Sequence, residues 1–126
     1  MDKLRDKVVL IVDDEESNLF ALSSYLDGLN MKIISTKNGE EAIRFLQENK
    51  KPDIILLDMM MPVMDGYEVL NVLKQNNSFK QIPVIAVTAR AMKGDKEKCM
   101  EAGAWDYITK PLNIKLLIEK LIRWIP

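Results

Sequence analysis

Residues 53–58 read Asp53-Ile54-Ile55-Leu56-Leu57-Asp58, four aliphatic side chains in a row with an aspartate at each end. So short and unbroken an apolar run has the composition of a strand buried on both faces of a parallel sheet. Lys7-Val8-Val9-Leu10-Ile11-Val12 and Pro83-Val84-Ile85-Ala86-Val87-Thr88 repeat the pattern on either side. Weaker runs occur at Met31-Lys32-Ile33-Ile34-Ser35 and Trp105-Asp106-Tyr107-Ile108. Helical periodicity fills the intervals, over about 16–28, 38–49, 65–76, 91–102 and 113–125. The last is the clearest: Ile114, Leu117, Ile118, Leu121, Ile122 and Ile125 form one continuous helix face. Asn38-Gly39 before the second helix, Pro83 opening the fourth strand and Asn113 as a cap for the fifth helix agree with this division. Five strands in strict alternation with five helices predict a doubly wound α/β domain, (βα)5, on a five-stranded parallel sheet. At 126 residues, with no repeat, low-complexity tract or linker, residues 1–126 read as one domain.

Composition excludes several functions. Hydrophobic residues make up 48% of the chain, so at this length it can bury roughly two thirds of its unfolded surface without disulfides or a structural metal. Cys99 is the only cysteine, which removes internal disulfides and cysteine zinc cages and fits a reducing, cytoplasmic compartment. A formal net charge of −1 gives no electrostatic footprint for direct nucleic-acid binding. No apolar stretch approaches the roughly 18 residues of a membrane span, and Met1-Asp2-Lys3-Leu4-Arg5-Asp6-Lys7 lacks a signal-peptide core. There is no histidine, so histidine-based triads and zinc hydrolases are out. Any phosphohistidine belongs to another protein.

In open parallel sheets ligands bind at the carboxyl ends of the strands. Here the first strand ends in Asp13-Asp14, the third in Asp58 and the fourth in Thr88-Ala89, and Lys110-Pro111 follows the fifth. Each has a bland reading: an acidic run before a helix complements its dipole, an Asp after a strand starts a turn, a strand Thr fills space, a loop Lys is solvated. Their convergence on one sheet edge is what favours chemistry. Three carboxylates against one ammonium leave two negative charges uncompensated, and a hard divalent ion such as Mg2+, which takes carboxylate and carbonyl oxygens, neutralises them. Such a site can accept a phosphoryl group held by Thr88, a backbone N–H and Lys110, with a carboxylate as nucleophile.

The residues Val12-Asp13-Asp14, Leu57-Asp58, Met61-Pro62-Val63-Met64-Asp65-Gly66, Val87-Thr88-Ala89 and Tyr107-Ile108-Thr109-Lys110-Pro111 resemble the receiver domains of two-component response regulators, over nearly the whole chain. The resemblance implies the flavodoxin-like receiver fold with strand order 2-1-3-4-5. It implies Asp58 as phospho-acceptor from the phosphohistidine of a sensor histidine kinase or histidine phosphotransfer protein. Asp14 becomes a direct Mg2+ ligand, Asp13 a ligand mainly through water and the Met60 backbone carbonyl a third contact, with Asp58 itself also in the metal set. Thr88, Lys110 and the Ala89 N–H bind phosphoryl oxygens, Tyr107 is the aromatic switch, and Lys110-Pro111 is cis. Inward movement of Thr88 would vacate space for Tyr107 and reshape the surface of the fourth helix, fifth strand and fifth helix, the expected output face and the route to a weak dimer of an otherwise monomeric domain.

Asn18-Leu19-Phe20-Ala21-Leu22, Met59-Met60-Met61-Pro62 and 91–99 are similar to receivers of hybrid sensor histidine kinases, implying excision from a larger protein; a stand-alone regulator is the alternative. Met60 and Arg90 flank the position of an attacking water and are expected to prolong the phosphoryl lifetime. An aspartate-nucleophile phosphatase would need an acid two residues past Asp58, where Met60 stands. A flavodoxin-like nucleotide binder would need a Ser/Thr/Gly-rich first loop in place of Asp13-Asp14-Glu15-Glu16. A receiver that signals without phosphate would not need all five signature positions. Cys99 reads as a packed thiol and Met59-Met60-Met61 as loop packing. Trp124 and Leu116 read as surface packing or a partner face.

Overall fold

A computed structural model describes residues 2–48, 51–89 and 94–126. After a 3-10 turn at Asp2–Leu4, the elements are β1 (Val8–Val12), α1 (Glu16–Asp27), β2 (Lys32–Thr36), α2 (Gly39–Glu48), β3 (Ile54–Asp58), α3 (Gly66–Lys74), β4 (Val84–Thr88), α4 (Asp95–Ala102), β5 (Asp106–Thr109) and α5 (Ile114–Trp124). The five strands form one sheet in the order β2-β1-β3-β4-β5, and every pairing is parallel. This is the expected doubly wound architecture and strand order.

Side-chain alternation divides each apolar run between two layers. Leu10, Val12, Ile55, Leu57, Val84 and Ala86 pack with Ala42 and Leu46 of α2, Val69, Leu70 and Leu73 of α3, and Cys99 of α4. Val9, Ile11, Ile54, Leu56, Ile85 and Val87 pack with Leu19, Leu22 and Leu26 of α1 and Leu117, Ile118 and Leu121 of α5. Leu4, which carried no pattern in the sequence, is fully buried in the second layer.

The helix starts follow local chemistry. Asn38 Oδ1 accepts from Glu41 N–H at 2.8 Å, Asp65 Oδ1 from Glu68 N–H at 3.0 Å and Asn113 Oδ1 from Leu116 N–H at 3.1 Å. The α4 pattern expected from 91 includes residues outside the described ones; Asp95 follows Gly94, whose φ of 88° suits glycine. No helix among the described residues is long and apolar enough to cross a membrane.

Trp124, off the main stripe of α5, is fixed against the edge strand. Its Nε1 donates to Asp106 Oδ2 at 2.7 Å, and its ring meets Trp105 edge-on at 5.7 Å between centroids. Lys120 Nζ donates to Asp106 Oδ1 at 2.7 Å, and Tyr107 N–H reaches the same oxygen at 2.8 Å. Leu116 is exposed. Burial alone would raise the Asp106 pKa, but these hydrogen bonds outweigh it and hold the carboxyl below its ordinary value of 3.8. Asp106→Asn is therefore expected to cost about 1–3 kcal/mol in urea unfolding at pH 7. The wild-type advantage exists above the unfolded-state pKa and is lost as pH falls through the lower folded-state value, so the two curves converge in acid. A gap unchanged in acid would contradict this.

Candidate functional site

Main-chain hydrogen bonds set the frame of the site. Asp13 N–H donates to Thr36 O at 3.1 Å, Met59 N–H to Val87 O at 2.9 Å and Lys110 N–H to Thr88 O at 2.8 Å. The ends of β1, β3 and β4 and the residue after β5 are thereby brought to one edge. Asp13 and Asp58 are each only 3% exposed, whereas Asp14 is open to solvent. Carboxylate oxygens of Asp13, Asp14 and Asp58 all lie within 4.8 Å of one another.

Lys110 straddles two of the three acids. Its Nζ stands 3.4 Å from Asp13 Oδ2 and 3.6 Å from Asp58 Oδ2. Asp13 Oδ1 also accepts from Glu15 N–H at 2.9 Å, and Asp13 Oδ2 from Asn18 Nδ2 at 3.4 Å. Asp58 Oδ1 accepts from Met60 N–H at 3.0 Å. Burial raises the Asp58 pKa; the Met60 N–H and the Lys110 ammonium oppose that, and the Asp13 and Asp14 charges reinforce it. Among the described residues a single ammonium stands against these three carboxylates, an excess of two negative charges. Hard oxygen donors this close suit a hard divalent cation such as Mg2+, which would offset both the repulsion and the desolvation.

The remaining expected site residues fall on the same edge. Thr88 is buried at the end of β4, and its hydroxyl donates to Asp95 Oδ2 at 3.4 Å. Ala89 follows in an exposed bend, and Tyr107 on β5 is half-buried. Met60 is exposed, while Met59 and Met61 are buried. Arg90, the other residue expected to flank an attacking water, lies outside the described residues. Lys110-Pro111 is cis, as the resemblance implied. Cys99 is buried, its Sγ 3.6 Å from Tyr67 Oη, with burial pushing the thiol pKa up; it is a packed thiol.

The loop from Asp58 to α3 is shaped by its backbone. Met64 N–H donates to Pro62 O at 2.8 Å around Val63, whose φ of 68° is unusual for a β-branched residue. The chain then turns into α3 at Gly66, whose N–H donates to Met59 O at 3.3 Å. Beside Asp13 and Lys110 opens a cleft of about 380 Å3 lined by Asn18, Ala21, Leu22 and Tyr25 of α1 and by Pro111 and Leu112. Sequence reading gave no site role to Asn18 or Asp95. Both sit in the first turns of helices, where apolar periodicity carries no information about which polar side chain turns back towards the sheet.

Comparison with known proteins agrees with this geometry. Residues 9–122 match the family described as response regulator receiver domain. The chain is 40% identical over 115 residues to the polar-differentiation response regulator DivK of Brucella anthropi, covering 91% of this chain and 93% of that one. Among solved structures it resembles the signal receiver domain of a signal transduction histidine kinase from Syntrophus aciditrophicus, with 34% identity and a TM-score of 0.86 over 94% of this chain and 89% of that one. It also resembles the receiver domain of the sensor histidine kinase PA1611 from Pseudomonas aeruginosa, described with a magnesium ion coordinated in its active-site cleft. That match has 32% identity and a TM-score of 0.87 over 95% of this chain and 98% of that one.

Proposed function

The chain belongs to the response regulator receiver domain family, a signalling switch of two-component systems, and on that premise we propose that Asp58 is its phospho-acceptor. The observation that carries the reading is the buried Asp58 carboxylate within 4.8 Å of those of Asp13 and Asp14, with Lys110 Nζ 3.6 Å away. In this reading an Asp58 oxygen attacks the phosphorus of a partner's phosphohistidine. The O–P bond forms as the P–N bond breaks, and the imidazole leaves. Asp13, Asp14, Asp58 and the Met60 carbonyl would hold Mg2+, whose contribution is to neutralise phosphoryl and carboxylate charge. Lys110, the Thr88 hydroxyl and the Ala89 N–H bind the phosphoryl oxygens. The same groups make the domain promote its own phosphorylation and dephosphorylation.

The partner in this reading is a sensor histidine kinase or histidine phosphotransfer protein. The apolar cleft between α1 and Pro111, with Phe20 on α1 75% exposed, suits a histidine-bearing helix. Thr88 and Tyr107 relay the phosphorylated state to the face of α4, β5 and α5, where Met100 and Leu116 are exposed and a weak dimer of the monomer can form. Residues 1–126 act as a single cytoplasmic domain without direct contact to nucleic acid, consistent with a net charge of −1.

Incubation with acetyl phosphate and Mg2+ is expected to add one phosphoryl mass to the intact protein, and none with EDTA or in Asp58→Asn. Once the donor is removed, the adduct should persist for minutes, because exposed Met60 stands beside the acceptor. An adduct on Asp58→Asn, or one that forms equally well in EDTA, would refute the assignment.

A further inference from the structure

The Thr88 hydroxyl is engaged by a residue that the phosphoryl chemistry does not use. Asp95, the first residue of α4, accepts from Thr88 Oγ1 at 3.4 Å. We infer that Asp95 is a positioning residue that holds the Thr88 hydroxyl away from the phosphoryl site until a phosphoryl group competes for it. The inference rests on the reading of Thr88 as a phosphoryl ligand.

A hydroxyl has one proton to donate, so Thr88 cannot donate to Asp95 and to a phosphoryl oxygen at once. Both acceptors are anionic, and each bond is charge-assisted. The bond to Asp95 is longer than the usual O–H···O range of about 2.5–3.0 Å. A phosphoryl oxygen at ordinary bonding distance therefore outcompetes it. Asp95 also acts on the second residue expected to move: burial first, and then the Asp95 carboxylate, raise the pKa of Tyr107. One carboxylate on α4 thus opposes Thr88 and lies within electrostatic reach of Tyr107. It is placed to couple the departure of Thr88 to the rearrangement of β5 and α4.

Asp95 also complements the N-terminal dipole of α4, a role that Glu97 in the same turn shares. Glu97→Gln is therefore the control for a merely structural effect. The first measurement needs no phosphate: the Thr88 γ-methyl carbon shift and its χ1 couplings in the Mg2+-loaded protein. Asp95→Ala is expected to change the Thr88 rotamer populations, Asp95→Asn to change them less, and Glu97→Gln to leave them alone.

The second measurement is beryllofluoride affinity with Mg2+. Asp95→Ala is expected to tighten it about three- to tenfold, and to have no effect in a Thr88→Ala background. Unchanged Thr88 populations, or equal tightening in both backgrounds, would overturn the inference. If Asp95→Ala does not fold, Asp95→Asn carries both comparisons. Failure of the phospho-acceptor reading would show separately, as wild-type protein that does not bind beryllofluoride, while the rotamer data still decide whether Asp95 holds Thr88.

Discussion

Asp58→Asn is expected to make the metal-free protein harder to unfold at pH 7, by about 1–2 kcal/mol, while removing its phosphoryl chemistry. Asp58 is 3% exposed and close to two other carboxylates, and burial raises its pKa above the ordinary 3.8. A carboxyl whose folded-state pKa is raised binds its proton more tightly in the folded chain. Stability therefore falls as pH rises from the unfolded value through the raised folded one, and the penalty is complete above the folded value. An asparagine has the same shape, keeps an oxygen to accept from Met60 N–H, and leaves Lys110 its ion pair with Asp13 at 3.4 Å. In EDTA at pH 7 the variant should melt roughly 3–10 °C above wild type. Below pH 4 the gap should close as Asp58 becomes protonated in both states. Saturating Mg2+ should reverse the order: an ion at about a hundred times its Kd adds about 2.7 kcal/mol to the wild type, and the variant has lost a ligand. A variant less stable than wild type in EDTA at pH 7 would mean that Lys110 and the Met60 N–H already compensate the buried charge.

The central strands were legible because burial on both faces leaves no room for polar residues. β1, β3 and β4 differ from the apolar runs by at most one residue at an end. β2 and β5 lie at the edges of the sheet, where one side meets solvent, and their runs mix polar with apolar residues. The limits read from Met31-Lys32-Ile33-Ile34-Ser35 and Trp105-Asp106-Tyr107-Ile108 are accordingly displaced by one residue from Lys32–Thr36 and Asp106–Thr109. α5 was plain from its six-residue stripe, whereas α4 buries only Cys99 and has almost no periodicity to read. Leu4 was invisible because a three-residue turn is too short to express a period.

The site divides in the same way. Asp13, Asp14, Asp58, Thr88 and Lys110 could be found because a parallel sheet sends all of its carboxyl ends to one edge, so position along the chain suffices. The contacts of Asn18 with Asp13 and of Asp95 with Thr88 depend on how helices lie against that edge, which is a tertiary fact. Trp124 shows the converse. Its place off the apolar stripe left a partner face open, and the fold instead satisfies its indole with the carboxylate of Asp106.

Gly66→Ala is expected to damage fold and site together. A Cβ at Gly66 would lie 2.5 Å from Met59 Sδ, 2.7 Å from Met59 Cα and 2.9 Å from Asp58 O. The sulfur can swing aside, but the other two are main-chain atoms of the residue proposed to carry the phosphoryl group and of the one after it. The start of α3 must then move from the end of β3, or Asp58 must move from the cluster. The cost is about 1–3 kcal/mol for overpacking, with the larger figure expected where backbone resists. Gly39→Ala is the informative comparison. Its Cβ would approach Met64 Sδ at 2.6 Å, Met64 Cγ at 2.8 Å and Val69 Cγ2 at 2.7 Å, all side-chain atoms. That substitution should lower stability without altering the acidic cluster. Urea unfolding paired with Mg2+ affinity separates the two: Gly66→Ala should lose both stability and Mg2+ affinity, and Gly39→Ala stability alone. Equal Mg2+ affinity in the two variants would mean that α3 yields at Gly66 and the end of β3 holds its position.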